Sequence, residues 1–122
     1  MESRDRTVLY AEDEEANRRL MVLQLKRHGI RCDTASDGMT ALERYRAGDY
    51  ALVMLDQYMP GLNGSEVARM IRRDNQRIPI IAITSDESQI ELLAESGFDR
   101  VLLKPLHDED YMSAIINYLS GV

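Results

Sequence analysis

An intrachain disulfide is excluded here, because the chain has one cysteine, Cys32. A lone thiol suits a reducing compartment, so a cytoplasmic location is expected. There is no tryptophan and only 6% of residues are aromatic, which leaves few platforms for stacking nucleic-acid bases. No apolar run approaches the ~20 residues of a membrane span. The charged start, Met1 to Arg6, carries no signal-peptide core. Membrane association is therefore not expected. Positive charge is in short supply: 15 Lys and Arg face 21 Asp and Glu, for a net charge of −6. Such a balance disfavours direct nucleic-acid binding, which draws on clustered basic side chains. If DNA enters the biology, a separate domain must bind it. Internal repeats, low-complexity tracts and Pro/Gly/Ser-rich linkers are absent. The phosphate-binding pattern GxxxxGK[ST] is missing too, which excludes a P-loop nucleotidase.

What is present fits one domain over residues 1–122. A chain of that length buries roughly two-thirds of the surface its unfolded form exposes, so it needs neither a disulfide nor a metal to fold. Short apolar runs alternate with helical patterns. Strands are predicted at Thr7–Ala11, Ile30–Ala35, Ala51–Asp56, Pro79–Thr84 and Val101–Lys104. Helices are predicted at Glu14–His28, Asp37–Arg46, Ser65–Arg73, Glu87–Ser96 and His107–Leu119. Gly29 and Gly97 stand at left-handed cap positions, and Asp37 stands at a helix start. Pro60, Gly61, Asn63 and Gly64 mark a loop over residues 57–64.

Strict alternation of five strands and five helices implies an α/β fold, a doubly wound parallel sheet with helices on both faces. The runs Leu52–Leu55 and Ile78–Ile83 lack polar alternation, as strands covered on both sides should. The common five-strand, flavodoxin-like order in this class is 2-1-3-4-5, although pattern alone does not establish it. The first helix carries Leu20, Met21, Val22, Leu23 and Leu25, more apolar positions than a narrow stripe needs. Broad burial is the favoured explanation, and a homodimer face is the alternative.

In doubly wound sheets the functional crevice lies beyond the carboxyl ends of the strands. Those ends carry Glu12 and Asp13, then Asp56, then Thr84 and Ser85, then Lys104 and Pro105. Three carboxylates sharing one edge repel one another, and a hard cation such as Mg²⁺ with oxygen ligands relieves that repulsion. An Asp so placed can form an acyl phosphate. A nearby Lys supplies positive charge and a Thr supplies a hydroxyl donor for phosphoryl oxygens. Each residue alone has a plainer explanation: acids at a helix start, a capping Asp or Thr, a solvated Lys, a tight turn at Met59–Gly61. Their coincidence at successive strand ends makes the joint plain explanation improbable.

The segment VMLDQYMPGLNG at residues 53–64, with the acidic pair after the first strand, the Thr after the fourth and the Lys-Pro after the fifth, resembles the receiver domains of two-component response regulators. The resemblance runs from Thr7 to about Leu119. It implies that Asp56 accepts a phosphoryl group from a histidine kinase or histidine phosphotransfer protein in a Mg²⁺-dependent step. It implies that Asp13 is a direct Mg²⁺ ligand, that Glu12 acts mainly through water, and that Asp56 and the Tyr58 backbone carbonyl complete the protein's share. It implies further that Thr84 is the hydroxyl that moves towards the phosphoryl group, and that Lys104, before a cis Pro105, is the ion-pairing lysine. The surface of helix four, strand five and helix five is then expected to change and to address a downstream output domain or target protein. No turnover of an external substrate is expected beyond the domain's own phosphorylation and dephosphorylation.

The sequence departs from the family in having Val101 where an aromatic is frequent. Tyr58 and Asp86 fill two variable positions flanking the phosphoryl group. A flavodoxin-like FMN carrier is disfavoured, because Glu12–Glu15 would repel a phosphate. An aspartate-nucleophile phosphatase is disfavoured, because Tyr58 stands where a second Asp is usual. The runner-up is a degenerate receiver serving only as a binding module.

Overall fold

The computed structural model describes residues 7–106 and 109–120. Its elements in chain order are β1 (Thr7–Ala11), α1 (Glu15–Arg27), β2 (Arg31–Ala35), α2 (Gly38–Ala47), β3 (Leu52–Asp56), α3 (Gly64–Asp74), β4 (Ile80–Thr84), a 3-10 turn (Glu87–Gln89), α4 (Ile90–Ala94), β5 (Arg100–Leu103) and α5 (Glu109–Leu119). The charged start over residues 1–6 and the expected onset of the last helix at residues 107 and 108 lie outside the described residues.

Local chemistry explains the boundaries. The Asp37 side chain accepts the Thr40 N–H and starts α2. Asn63 and Glu66 form a reciprocal capping box that starts α3 one residue earlier than predicted. Gly29 and Gly97 both take positive φ, +72° and +96°, and so end α1 and the α4 segment in a conformation that disfavours side chains. The fourth helix is shorter than predicted. Asp86 accepts the Ser88 N–H and winds Glu87–Gln89 as a 3-10 turn, which leaves only Ile90–Ala94 as α-helix.

All strand pairs are parallel and the order is β2-β1-β3-β4-β5. The alternating side chains of the central strands divide between two apolar clusters. Leu9, Val53, Leu55 and Ala82 pack with Ala41, Leu42, Val67, Ile71 and Leu93, on the side of α2, α3 and α4. Val8, Met54, Ile81 and Ile83 pack with Met21, Leu25, Met112 and Ile115, on the side of α1 and α5. The Tyr111 hydroxyl also donates to Gln24 Oε1, joining α5 to α1. Far from the strand carboxyl ends, Arg72 donates to the carbonyls of Gly97, Asn75 and Ile78 and pairs with Asp99 at 2.8 Å. It fastens the end of α3 to the entries of β4 and β5.

The broad burial expected of α1 does not hold. Met21 and Leu25 are buried, whereas Leu20 and Leu23 are half exposed or more. A helix on one sheet face contributes one stripe to the core, so its remaining leucines point outward. Cys32 packs against the α1/α5 cluster. Burial and the neighbouring Asp33 charge push its thiol up to about 12, which disfavours the thiolate at neutral pH. No helix among the described residues is long and apolar enough to cross a membrane.

Candidate functional site

Parallel register brings the strand ends together. Ala11 pairs with Leu55, Asp56 with Ile83 and Thr84 with Leu103. The residues that close or immediately follow these strands therefore share one edge of the sheet. Single carboxylate oxygens of Glu12, Asp13 and Asp56 all lie within 4.8 Å of one another. Glu12 and Asp56 are buried, and Asp13 is exposed.

Lys104 ties the cluster together. Its Nζ lies 2.7 Å from Glu12 Oε1 and 2.6 Å from Asp56 Oδ2. Its backbone N–H donates to the Thr84 carbonyl at 2.8 Å, and the following peptide to Pro105 is cis. Thr84 is fully buried, and its Oγ1 accepts the Asp86 N–H at 3.1 Å. That contact uses an acceptor position and leaves the hydroxyl free to donate. Tyr58 bends back over the strand end. Its N–H donates to Asp56 Oδ1 at 3.2 Å, while its exposed phenol reaches Asp86 Oδ2 at 3.4 Å. Val101 is partly buried against the α2/α3/α4 cluster.

Two buried carboxylates share one ammonium, and their protonation diverges. Burial would raise Glu12, but the Lys104 ammonium and the Glu14 N–H overcome it and hold this carboxyl down at about 2. Asp56 moves the other way: burial and the Glu12 charge raise it despite Lys104. Asp13 is also raised, by burial and by the adjacent Glu12 carboxylate. Burial lowers the Lys104 ammonium, but the hydrogen bonds and charges of Asp56 and Glu12 outweigh it, so the net shift is upward. Three carboxylates around one ammonium leave a net negative charge at this edge, which suits a hard cation.

Several contacts at this edge were not foreseen from the sequence. The Tyr10 phenol, buried in β1, donates to Glu12 Oε1 at 3.2 Å, and burial with the Glu12 charge pushes its own ionisation far up. Asn17 Nδ2 reaches the same oxygen at 3.4 Å, and Arg18 donates to the Glu12 carbonyl at 2.8 Å. Gln57, also buried, binds Ser65 at the start of α3. A hydroxyl inside an otherwise apolar strand pattern is the signal that could have found Tyr10, and an amide directly after the apolar run that Asp56 closes is the signal for Gln57.

Backbone packing holds the β3–α3 loop. A methyl on Gly38 would lie 2.0 Å from the Leu62 carbonyl oxygen. Gly38→Ala should therefore shift that loop and cost about 2–3 kcal/mol of stability. Thermal melting checks this, and an unchanged midpoint would contradict it.

The family model for the response regulator receiver domain matches residues 8–116. The chain is 38% identical over 102 residues to the transcriptional regulatory protein AfsQ1 of Streptomyces coelicolor, a match covering 82% of this chain and 45% of that protein. It is 34% identical over 110 residues to the response regulator ArlR of Staphylococcus saprophyticus, covering 88% of this chain and 50% of ArlR. The chain thus spans about half the length of these relatives. Among solved structures, the response regulator TrrA of Thermotoga maritima, solved in complex with Mg²⁺-BeF, superposes with a TM-score of 0.85 at 32% identity, covering 93% of this chain and 98% of that one. Sheet order, edge chemistry and these similarities agree, and the chain belongs to the receiver domain family of response regulators.

Proposed function

We propose that this receiver domain is a phosphoacceptor switch in which Asp56 takes a phosphoryl group from a histidine kinase or histidine phosphotransfer protein. The observation that carries the proposal is Lys104 bridging Glu12 and Asp56 beside the exposed carboxylate of Asp13. The donor set consists of hard oxygens crowded by mutual repulsion, which fits Mg²⁺. Glu12, Asp13, Asp56 and the Tyr58 carbonyl would hold the ion. When bound, it neutralises charge on the carboxylates and on phosphoryl oxygens.

The chain's own residues account for the remaining chemistry. Glu12, ionised down to about pH 2, keeps Lys104 in place against its Oε1. The Tyr58 N–H orients one Asp56 oxygen and Lys104 the other. An Asp56 oxygen forms a bond to phosphorus as the phosphorus–nitrogen bond to the donor histidine breaks, and that electron pair stays on the donor imidazole. The free Thr84 O–H and the Lys104 ammonium then offer hydrogen bonds to the new phosphoryl oxygens. The intact set of Asp56, Thr84 and Lys104 favours a switch over a binding-only module. No turnover of an external substrate follows from it.

Incubation with a small-molecule phosphodonor and Mg²⁺ should label the wild type and leave Asp56→Asn unlabelled. Equal labelling of the two would refute the assignment. Phosphorylation adds about two negative charges to the edge. That change is expected to draw Thr84 and Lys104 inward and to alter the surface formed by α4, β5 and α5, where an output domain or target protein would read it. Backbone NMR with and without beryllofluoride should show shifts concentrated there. Shifts confined to the acidic edge would count against transmission.

A further inference from the structure

Gln57 is a buried amide with no task in the phosphoryl chemistry. It follows Asp56 at the end of an apolar strand, where a leucine would satisfy burial without needing partners. Instead both ends of its amide are spent on one residue. Gln57 Oε1 accepts the Ser65 N–H at 2.8 Å, and Gln57 Nε2 donates to Ser65 Oγ at 3.1 Å. The Ser65 hydroxyl donates onward to Asn63 Oδ1 at 2.9 Å, the same oxygen that caps the Glu66 N–H. The Gly64 N–H donates to the Gln57 carbonyl at 3.0 Å. The residue next to Asp56 therefore satisfies the first two backbone donors of α3, one with its main chain and one with its side chain.

This latch closes the loop over residues 57–63 at its base. Packing there is tight: a methyl on Gly64 would lie 2.7 Å from the Asp56 carbonyl oxygen. Tyr58 lies between the two ends of the latch, and its N–H already holds Asp56 Oδ1. A backbone segment fixed before a ligand arrives loses less freedom when the ligand binds. Groups behind a metal's direct ligands set its affinity by holding those ligands in place.

We propose that the Gln57–Ser65 latch is a positioning device that sets the divalent-cation affinity of the acidic edge by holding the Tyr58 segment. The inference rests on the reading of Glu12, Asp13 and Asp56 as a Mg²⁺ site. The Asn63–Glu66 box pairs the Glu66 and Asn63 N–H groups, and Gln57 takes those of Gly64 and Ser65 that it leaves, so the latch joins the cap of α3 to the residue beside Asp56.

The test is Mg²⁺ binding by calorimetry, with melting temperature and exchange of the Tyr58 backbone amide recorded for each protein. Gln57→Leu should weaken Mg²⁺ by about tenfold. Ser65→Ala keeps the N–H and loses the hydroxyl, so it should weaken binding by about threefold. Ser65→Thr keeps both groups and should match the wild type. Tyr58 amide exchange without metal should quicken in the same order. Loss of melting temperature with an unchanged dissociation constant would overturn the latch and reduce Gln57 to a structural role. If Gln57→Leu does not fold, the Ser65 pair decides: equal affinity and equal exchange for Ala and Thr reject the proposal. If wild type binds no Mg²⁺, or Asp13→Asn binds it equally well, the metal-site reading falls and takes the latch's role with it.

Discussion

Lys104→Met should lower the unfolding free energy at pH 7 by about 3–5 kcal/mol, the usual cost of removing one partner from a buried ion pair. The side chains involved are well covered: Glu12 is 0% exposed, Asp56 6% and Lys104 22%. Without the ammonium, two carboxylates face each other unopposed. Their pH dependence supplies a signature that simple loss of packing would not. In the wild type, Glu12 is depressed to about 2 from 4.5. Its stabilising contribution is fully present above the unfolded value and is lost as pH falls from there towards 2. In the variant, both carboxyls sit above their unfolded values, so protonation on acidification relieves repulsion and restores stability. The gap between wild type and Lys104→Met should be largest near pH 7 and should narrow by pH 4. Denaturant unfolding across that range measures it. A gap that stays constant with pH would show that Lys104 contributes packing rather than charge.

Mg²⁺ should raise the melting temperature of the wild type and leave that of Asp13→Asn nearly unchanged. At a concentration 100 times the dissociation constant, linkage contributes about 2.7 kcal/mol, a shift of several degrees. Asp13 is the exposed member of the cluster, so its loss removes charge without opening a cavity. Proton competition fixes the sign of the pH effect. Burial raises Asp56, and the Glu12 charge adds to it; burial and contact with Glu12 raise Asp13. Both carboxyls therefore take up protons at higher pH than ordinary aspartates, and metal stabilisation should fade at higher pH than it would for a site of ordinary aspartates. Melting with and without Mg²⁺ from pH 8 downward gives the profile. An equal Mg²⁺ shift in Asp13→Asn would remove Asp13 from the metal site.

The candidate residues were legible because each stands at a strand end, and strand ends are marked locally. Asp56 closes an unbroken apolar run, and Lys104-Pro105 closes another. The short α4 was less legible, since Asp86 and Ser88 compete for the backbone of the predicted first turn. The outward Leu20 and Leu23 are not legible from composition, which reports how apolar a helix is, not which stripe meets the sheet.

By itself the sequence determined the alternation of strands and helices, the caps at Asp37 and Gly29, and the residue types at each strand end. These rest on periods of two and 3.6 residues and on contacts within a turn, which neighbouring residues establish alone. Tertiary structure decided that β1 lies between β2 and β3, that one ammonium spans Glu12 and Asp56, and that Gln57 reaches Ser65. Lys104 is separated from its two partners by 92 and 48 residues. No local periodicity encodes such pairs; they exist only once the sheet has set its order and register, which brings distant strand ends to one edge.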